Sequence, residues 1–170
     1  MIKQDTLEKQ VKIAFLSIGS NLGNRMNHIE KAKSKLVEKG ITIISSSSYY
    51  ETLSWPNPRN PKFLNIVLKA ETKLNKSRLL NICKEIEKYL GRKKSSKNSP
   101  RECDIDLIDY LNKKNSGKII LPHPRMHTRN FVLLPLFEIN KNWRHPISKQ
   151  HIKYLIFSLS NRDIRSIKQI

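Results

Sequence analysis

Acidic residues are scarce: 14 Asp and Glu stand against 33 Lys and Arg, a formal net charge of +19 over 170 residues. Such a chain sits in a positive field and attracts polyanions, so a nucleotide, a nucleic acid or an anionic surface would all suit it. The same surplus arises without any partner, because Lys, Asn, Ile and Ser are abundant even in segments with no motif, as an AT-biased genome produces. Cysteine is scarce too. Cys83 and Cys103 form no CxxC pair, which argues against a zinc site or a disulfide framework and suits a reducing cytoplasm. No apolar run approaches the ~20 residues that span a bilayer. The opening MIKQDTLEKQ lacks the apolar core of a secretory signal. Phosphate-binding glycine motifs are missing as well: GSNLGN from Gly19 matches neither GxxxxGK(S/T) nor GxGxxG and reads as a turn and helix cap. An ATP site here needs another architecture. Nor does either candidate strand carry the alternating aromatics of an RNP1 motif, which counts against an RNA-binding module on a similar fold.

What is present is periodic. Residues 1–11 form a polar extension, and residues 12–170 suit a single domain. Lys12 to Ile18 is a short apolar run, hence a central strand. Asn24 suits an N-cap before a helix with Ile29, Ala32, Leu36 and Val37 on one face, ended by Gly40. Residues 41–52 are β-branched and aromatic, which predicts a strand. Pro56, Pro58 and Pro61 then enforce a loop. Residues 62–72 predict another strand, and 76–90 an amphipathic helix through Leu79, Ile82, Cys83, Ile86 and Leu90. A basic, Ser-rich loop (92–100) leads to a strand over 101–110. An extended piece from Lys118 and short helices within 129–139 and 148–160 follow. The order is βαββαβ with C-terminal additions, that of a ferredoxin-like α+β domain.

The sharpest chemical feature is Asp104-Ile105-Asp106. Residues i and i+2 of a strand share a face, with Cα atoms about 6.6 Å apart. Two adjacent carboxylates repel each other, and a hard cation such as Mg²⁺ relieves that while keeping positions for phosphate oxygens. Arg92, Lys93, Lys94, Lys97 and Arg101 lie upstream and Arg125 and Arg129 downstream, an arrangement suited to polyphosphate. His123, held between Pro122 and Pro124, could donate to phosphate. Phe63 and Asn65 share a strand face, and with Phe131 could hold a flat heterocycle by stacking and by its polar edge. Each feature has an ordinary fate to set beside this one: a solvated carboxylate pair, a solvated basic loop, a structural histidine, phenylalanines in a core.

Taken together, six segments resemble one family. They are IGSNLGNR (Ile18–Arg25), SSYYET (Ser47–Thr52), FLN (Phe63–Asn65), LLN…EIE…GR (Leu79–Arg92), PRECDIDL (Pro100–Leu107) and LPHPRMHTRNFVLLPLFEI (Leu121–Ile139). The family is 6-hydroxymethyl-7,8-dihydropterin pyrophosphokinase (HPPK). The resemblance implies a ferredoxin-like core in an α-β-α sandwich. It implies transfer of the β,γ-pyrophosphoryl unit of ATP to the pterin hydroxymethyl oxygen, leaving AMP, in folate synthesis. It also implies a chain that works as a monomer or as part of a fused folate enzyme; with the cysteine and hydropathy readings above, the expectation is a cytoplasmic monomer with no membrane or nucleic-acid partner. Asp104 and Asp106 match the pair that binds two Mg²⁺, with ATP as co-substrate, and with Arg92 and Arg101 form the expected catalytic set. ATP contacts are implied at Glu87, Arg92, Lys94, Arg101, Leu107, His123 and Arg129. Pterin contacts are implied at Thr52, Phe63, Asn65 and Phe131, with Trp55 filling an apolar place in the altered loop LSWPNPRNP. That loop replaces the family's usual Pro and Gly after Thr52. Lys94 stands where Arg is common, and Asn98 where some members carry a Trp.

Overall fold

The computed structural model describes residues 10–93 and 98–170. The polar extension therefore lies, but for its last residues, outside the described part, as do Lys94 and Lys97. The elements run β1 (Lys12–Ser20), α1 (Arg25–Glu38), β2 (Thr42–Ser46), β3 (Tyr50–Thr52), β4 (Phe63–Thr72), α2 (Lys76–Tyr89) and β5 (Asp104–Tyr110). A 3₁₀ turn (Met126–Thr128) then leads to α3 (Asn130–Ile139), α4 (Ile152–Phe157), α5 (Asn161–Arg165) and β6 (Ile167–Gln169). All strand pairs are antiparallel. The sheet order is β5-β1-β4-β3-β6, and β2 shares the outer side of β4 with β3. The fold is thus a mixture of helices and an antiparallel sheet. Among the described residues, no helix is long and apolar enough to cross a membrane.

The sheet separates two cores. Leu16, Ile18, Ile66, Leu68 and Ile105 face α1 and α2 through Leu36, Leu79 and Ile86. On the other face, Phe15, Val67 and Ile108 meet α3 and α4 through Val132, Leu136 and Ile152. Each such Leu or Ile contributes about 1.5–3 kcal/mol when taken fully out of water. The helix starts follow local chemistry. Asn24 Oδ1 accepts from Asn27 N at 3.0 Å, and Asn75 Oδ1 accepts from Arg78 N at 2.9 Å, each satisfying a donor the helix itself leaves unpaired. Gly40 sits at φ +77 beyond α1, where other residues are strained.

The strand expected over 41–52 is two strands. Its register slips between Ile43 and Ser45. At Ser47 the hydroxyl, rather than a backbone carbonyl, accepts from Val67 N at 3.0 Å. The strand expected from Arg101 begins only at Asp104, because Arg101 bonds to Asn21 instead of a ladder neighbour. The helix expected over 148–160 is confined to Ile152–Phe157, and α5 and β6 complete the chain.

Candidate active site

A register shift builds the site. β5 pairs with β1 as Ser17↔Asp106 and Gly19↔Asp104, then slips so that Phe15 faces Asp109. The extra residue, Ile108, packs into the core beneath α3 and α4. Asp104 and Asp106 lie on that same face, beside the N-terminal end of α3 rather than under the helices, where the sheet surface stays open. On β1 the open face continues with Ser17 and Gly19, and on β4 with Phe63 and Asn65, which pairs with Gly19. Together they floor a cavity of about 760 Å³.

The cavity gathers most of the expected residues. Asp104, Asp106, Arg101 and Arg129 line one part; Thr52, Trp55, Phe63, Asn65 and Phe131 line another. Among the described residues, Glu87, Arg92, Leu107 and His123 are not on its wall. Leu107 points to the opposite core. Glu87, 2% exposed, lies behind β5, where its carboxylate accepts from Ile105 N at 2.7 Å and meets Arg92 at 2.7 Å. Burial raises its carboxyl, only partly offset by the Ile105 amide, Lys84 and Arg92. Arg92 in turn reaches Asp104 at 2.5 Å. Glu87 therefore aims Arg92 at the front carboxylate.

Both front carboxylates are held by guanidinium groups. Arg101 approaches Asp104 at 2.9 Å, and Arg129 approaches Asp106 at 3.1 Å. Burial alone would raise the Asp104 carboxyl, but Arg101 and then Arg92 outweigh it and hold it below the usual range. Burial lowers His123, and Arg129 and Arg125 add to this against the pull of Asp106. The backbone N–H of Arg125 donates to His123 Nδ1 at 3.2 Å, which leaves the neutral ring with its proton on Nε2.

The aromatic residues sit beside the same cations. The Arg101 guanidinium lies 5.4 Å from the Phe63 ring centre, and Arg129 lies 5.4 Å from that of Phe131. Asn65, 3% exposed, donates to Thr52 Oγ1 at 3.1 Å, so the amide and the hydroxyl orient each other.

One organising residue escaped the sequence reading. Asn21, 2% exposed, accepts from Arg101 N at 2.7 Å and donates to Ser54 Oγ at 3.2 Å and Pro61 O at 3.1 Å. It joins Arg101 to both ends of the Trp55 loop. The GSN triplet carried the signal, but a turn explains such a triplet equally well.

The donor set suits a hard cation. Asp104 and Asp106 present carboxylate oxygens to one cavity, and Mg²⁺ needs only one or two such groups when substrate oxygens and water complete its shell. Among the described residues, no cluster of three or more His, Cys, Asp or Glu offers a larger cage.

Residues 15–141 match the family model described as 7,8-dihydro-6-hydroxymethylpterin-pyrophosphokinase (HPPK). The chain belongs to this family. A relative from Aquifex aeolicus (strain VF5), named 2-amino-4-hydroxy-6-hydroxymethyldihydropteridine pyrophosphokinase, is 41% identical over 140 residues. That match covers 82% of this chain and 87% of the relative. Folic acid synthesis protein fol1 of Pneumocystis carinii is 38% identical over 154 residues, 90% of this chain but 21% of its own length. Here the chain is similar to one part of a much longer protein. A crystal structure of Plasmodium falciparum HPPK-DHPS, wild type with pterin and p-hydroxybenzoate, superposes at a TM-score of 0.74. It is 16% identical and covers 95% of this chain and 47% of that one, a likeness of fold.

Proposed function

We propose that this chain transfers the pyrophosphoryl group of ATP to 6-hydroxymethyl-7,8-dihydropterin, yielding AMP and the pterin pyrophosphate, and that the reaction depends on Mg²⁺. The observation that carries the reading is one sheet face holding Asp104 and Asp106 in the same cavity as Phe63, Asn65 and Phe131. A polyphosphate end and a flat, polar-edged end are thereby adjacent. Asp104 and Asp106 are the residues to hold two Mg²⁺, which when bound would neutralise phosphate oxygens and acidify the pterin hydroxyl.

The remaining roles fall to the chain itself. Phe63 and Phe131 stack on the pterin, and Asn65 and Thr52 meet its polar edge. That geometry brings the hydroxymethyl oxygen towards the carboxylate side, so attack on the β-phosphorus is a matter of orientation. Arg92, Arg101 and Arg129 exchange carboxylate partners for phosphate oxygens and stabilise charge on the moving group. Neutral His123 donates from Nε2. Trp55 and its loop, tied down through Asn21, exclude water from the pterin. Lys94 is assigned to ATP, Glu87 acts on the nucleotide through Arg92, and Leu107 holds β5 from the opposite core. We read the β5-β1-β4 order, with β2 and β3 sharing the next place, as a ferredoxin-like core carrying one added strand. The protein acts as a cytoplasmic monomer without a nucleic-acid partner, a compartment that suits its buried free thiols, Cys83 and Cys103.

Mass spectrometry of the protein with ATP, Mg²⁺ and the pterin alcohol tests the reading. AMP and the pterin pyrophosphate should form together and vanish without Mg²⁺. Asp106→Ala should lower turnover by about a thousandfold or more with the fold intact. Intact ATP in the presence of folded wild-type protein overturns the activity, and a near-normal Asp106→Ala rate overturns the metal assignment.

A further inference from the structure

Residues 142–170 lie beyond the stretch that the family model matches, yet the chain returns to the cavity. Ser160, Arg162, Asp163 and Ser166 share its wall with Thr52 and Phe131. Two attachments bring them there. β6 pairs with β3, setting Ile167 opposite Thr52. The second attachment is a single side chain. Asn130, 8% exposed, donates from Nδ2 to Asp163 O at 2.6 Å and to Ser166 Oγ at 3.1 Å. Its Oδ1 accepts from Phe131 N at 2.7 Å. Ser166 Oγ donates to the same Asp163 carbonyl at 2.8 Å, so the turn is internally braced.

Asn130 opens α3, where the first N–H groups have no partner within the helix. Its carbonyl serves the Phe131 amide while its amino group holds the 160–166 turn. Both sequence neighbours belong to the site: Arg129 pairs with Asp106, and Phe131 lines the cavity. A buried amide that uses both donors and its acceptor across two elements fixes their relative position more tightly than a surface contact does.

We propose that Asn130 is a positioning residue that clamps Phe131 to the 160–166 turn, so that this C-terminal segment sets the width of the pterin slot. The inference rests on the pyrophosphokinase reading above. If Asn130 merely capped α3, a side chain that keeps the acceptor and lacks the donors would suffice. Asn130→Asp is that side chain. Ser166→Ala removes the acceptor for Asn130 together with the hydroxyl's bond to Asp163 O, changes no charge and leaves the Phe131 amide's partner alone.

The test is fluorescence titration of the full chain with the pterin, with and without a non-hydrolysable ATP analogue and Mg²⁺, alongside steady-state kinetics and thermal unfolding. Asn130→Asp should weaken pterin binding by about tenfold, and Ser166→Ala by about threefold, the scale of one or two hydrogen bonds. The pterin KM should rise in step while kcat and affinity for the ATP analogue stay within about twofold. Pterin affinity unchanged in Ser166→Ala, or pterin and nucleotide affinities falling together in Asn130→Asp, overturns the clamp. A wild-type protein that does not bind the pterin overturns the substrate reading, and the clamp with it.

Discussion

Gly19 shows how closely the site is fitted. A Cβ at this position would stand 2.8 Å from Asn65 Oδ1 and 3.4 Å from Phe63 Cδ1, so both side chains proposed to meet the pterin depend on its absence. Gly19→Ala should cost about 1–3 kcal/mol of stability in urea, as overpacking does, and should weaken pterin binding in a fluorescence titration. Asp109 is a buried carboxylate outside the reacting cluster, fully covered and accepting from Trp143 Nε1 at 2.9 Å. Burial raises its carboxyl above the ordinary 3.8, against the opposing hydrogen bond from Trp143. The protonated form therefore favours the fold. That contribution is complete below pH 3.8 and is lost as pH climbs through the raised value. Asp109→Asn keeps an oxygen for Trp143 and cannot ionise. Urea unfolding at a series of pH values should show the variant gaining on wild type as pH rises from acid to neutral, and a constant difference would contradict this. The cysteines follow the same logic without consequence for chemistry: burial pushes the Cys83 thiol up to about 12 and raises Cys103 as well, so neither is a nucleophile.

β4 is the element on which the others converge, since β1 flanks one side and β2 and β3 share the other. Leu68 lies fully buried near its middle, and Leu68→Ala should cost about 2–5 kcal/mol by chemical denaturation. Central strands such as β1 and β4 were readable in advance because a short apolar run, buried on both faces, survives whatever the rest of the chain does; the same holds for α1 and α2, whose faces repeat at helical spacing. Asp104 and Asp106 were readable for the same reason, as strand geometry alone puts them on one face. What escaped has no period. The break at Ser47 depends on a hydroxyl taking a backbone partner. The Asn21 and Asn130 links are side-chain amides reaching across the fold. α5 and β6 are short and largely exposed, and only a partner far upstream makes Ile167–Gln169 a strand. The pairing of Asp104 and Asp106 with arginines could be anticipated as to sign, but not as to which arginine meets which carboxylate.

At the scale of the whole molecule, the +19 charge acts on the two substrates unequally. ATP is a polyanion and the pterin is neutral. Raising salt from about 0.05 to about 0.5 M shortens the Debye length severalfold. Calorimetry should then show ATP affinity falling while pterin affinity holds; equal loss of both would place the charge outside the recognition of substrate. The pairing of Thr52 with Ile167 carries a consequence of another kind, one of timing. Translation delivers about 5–20 residues per second, so Thr52, Phe63 and Asn65 leave the ribosome many seconds before the strand that flanks them. The two cores can form around a chain that still lacks β6. The last wall of the cavity therefore arrives as a late event, and a released chain ending before Ser160 would keep every residue of both cores while lacking that wall.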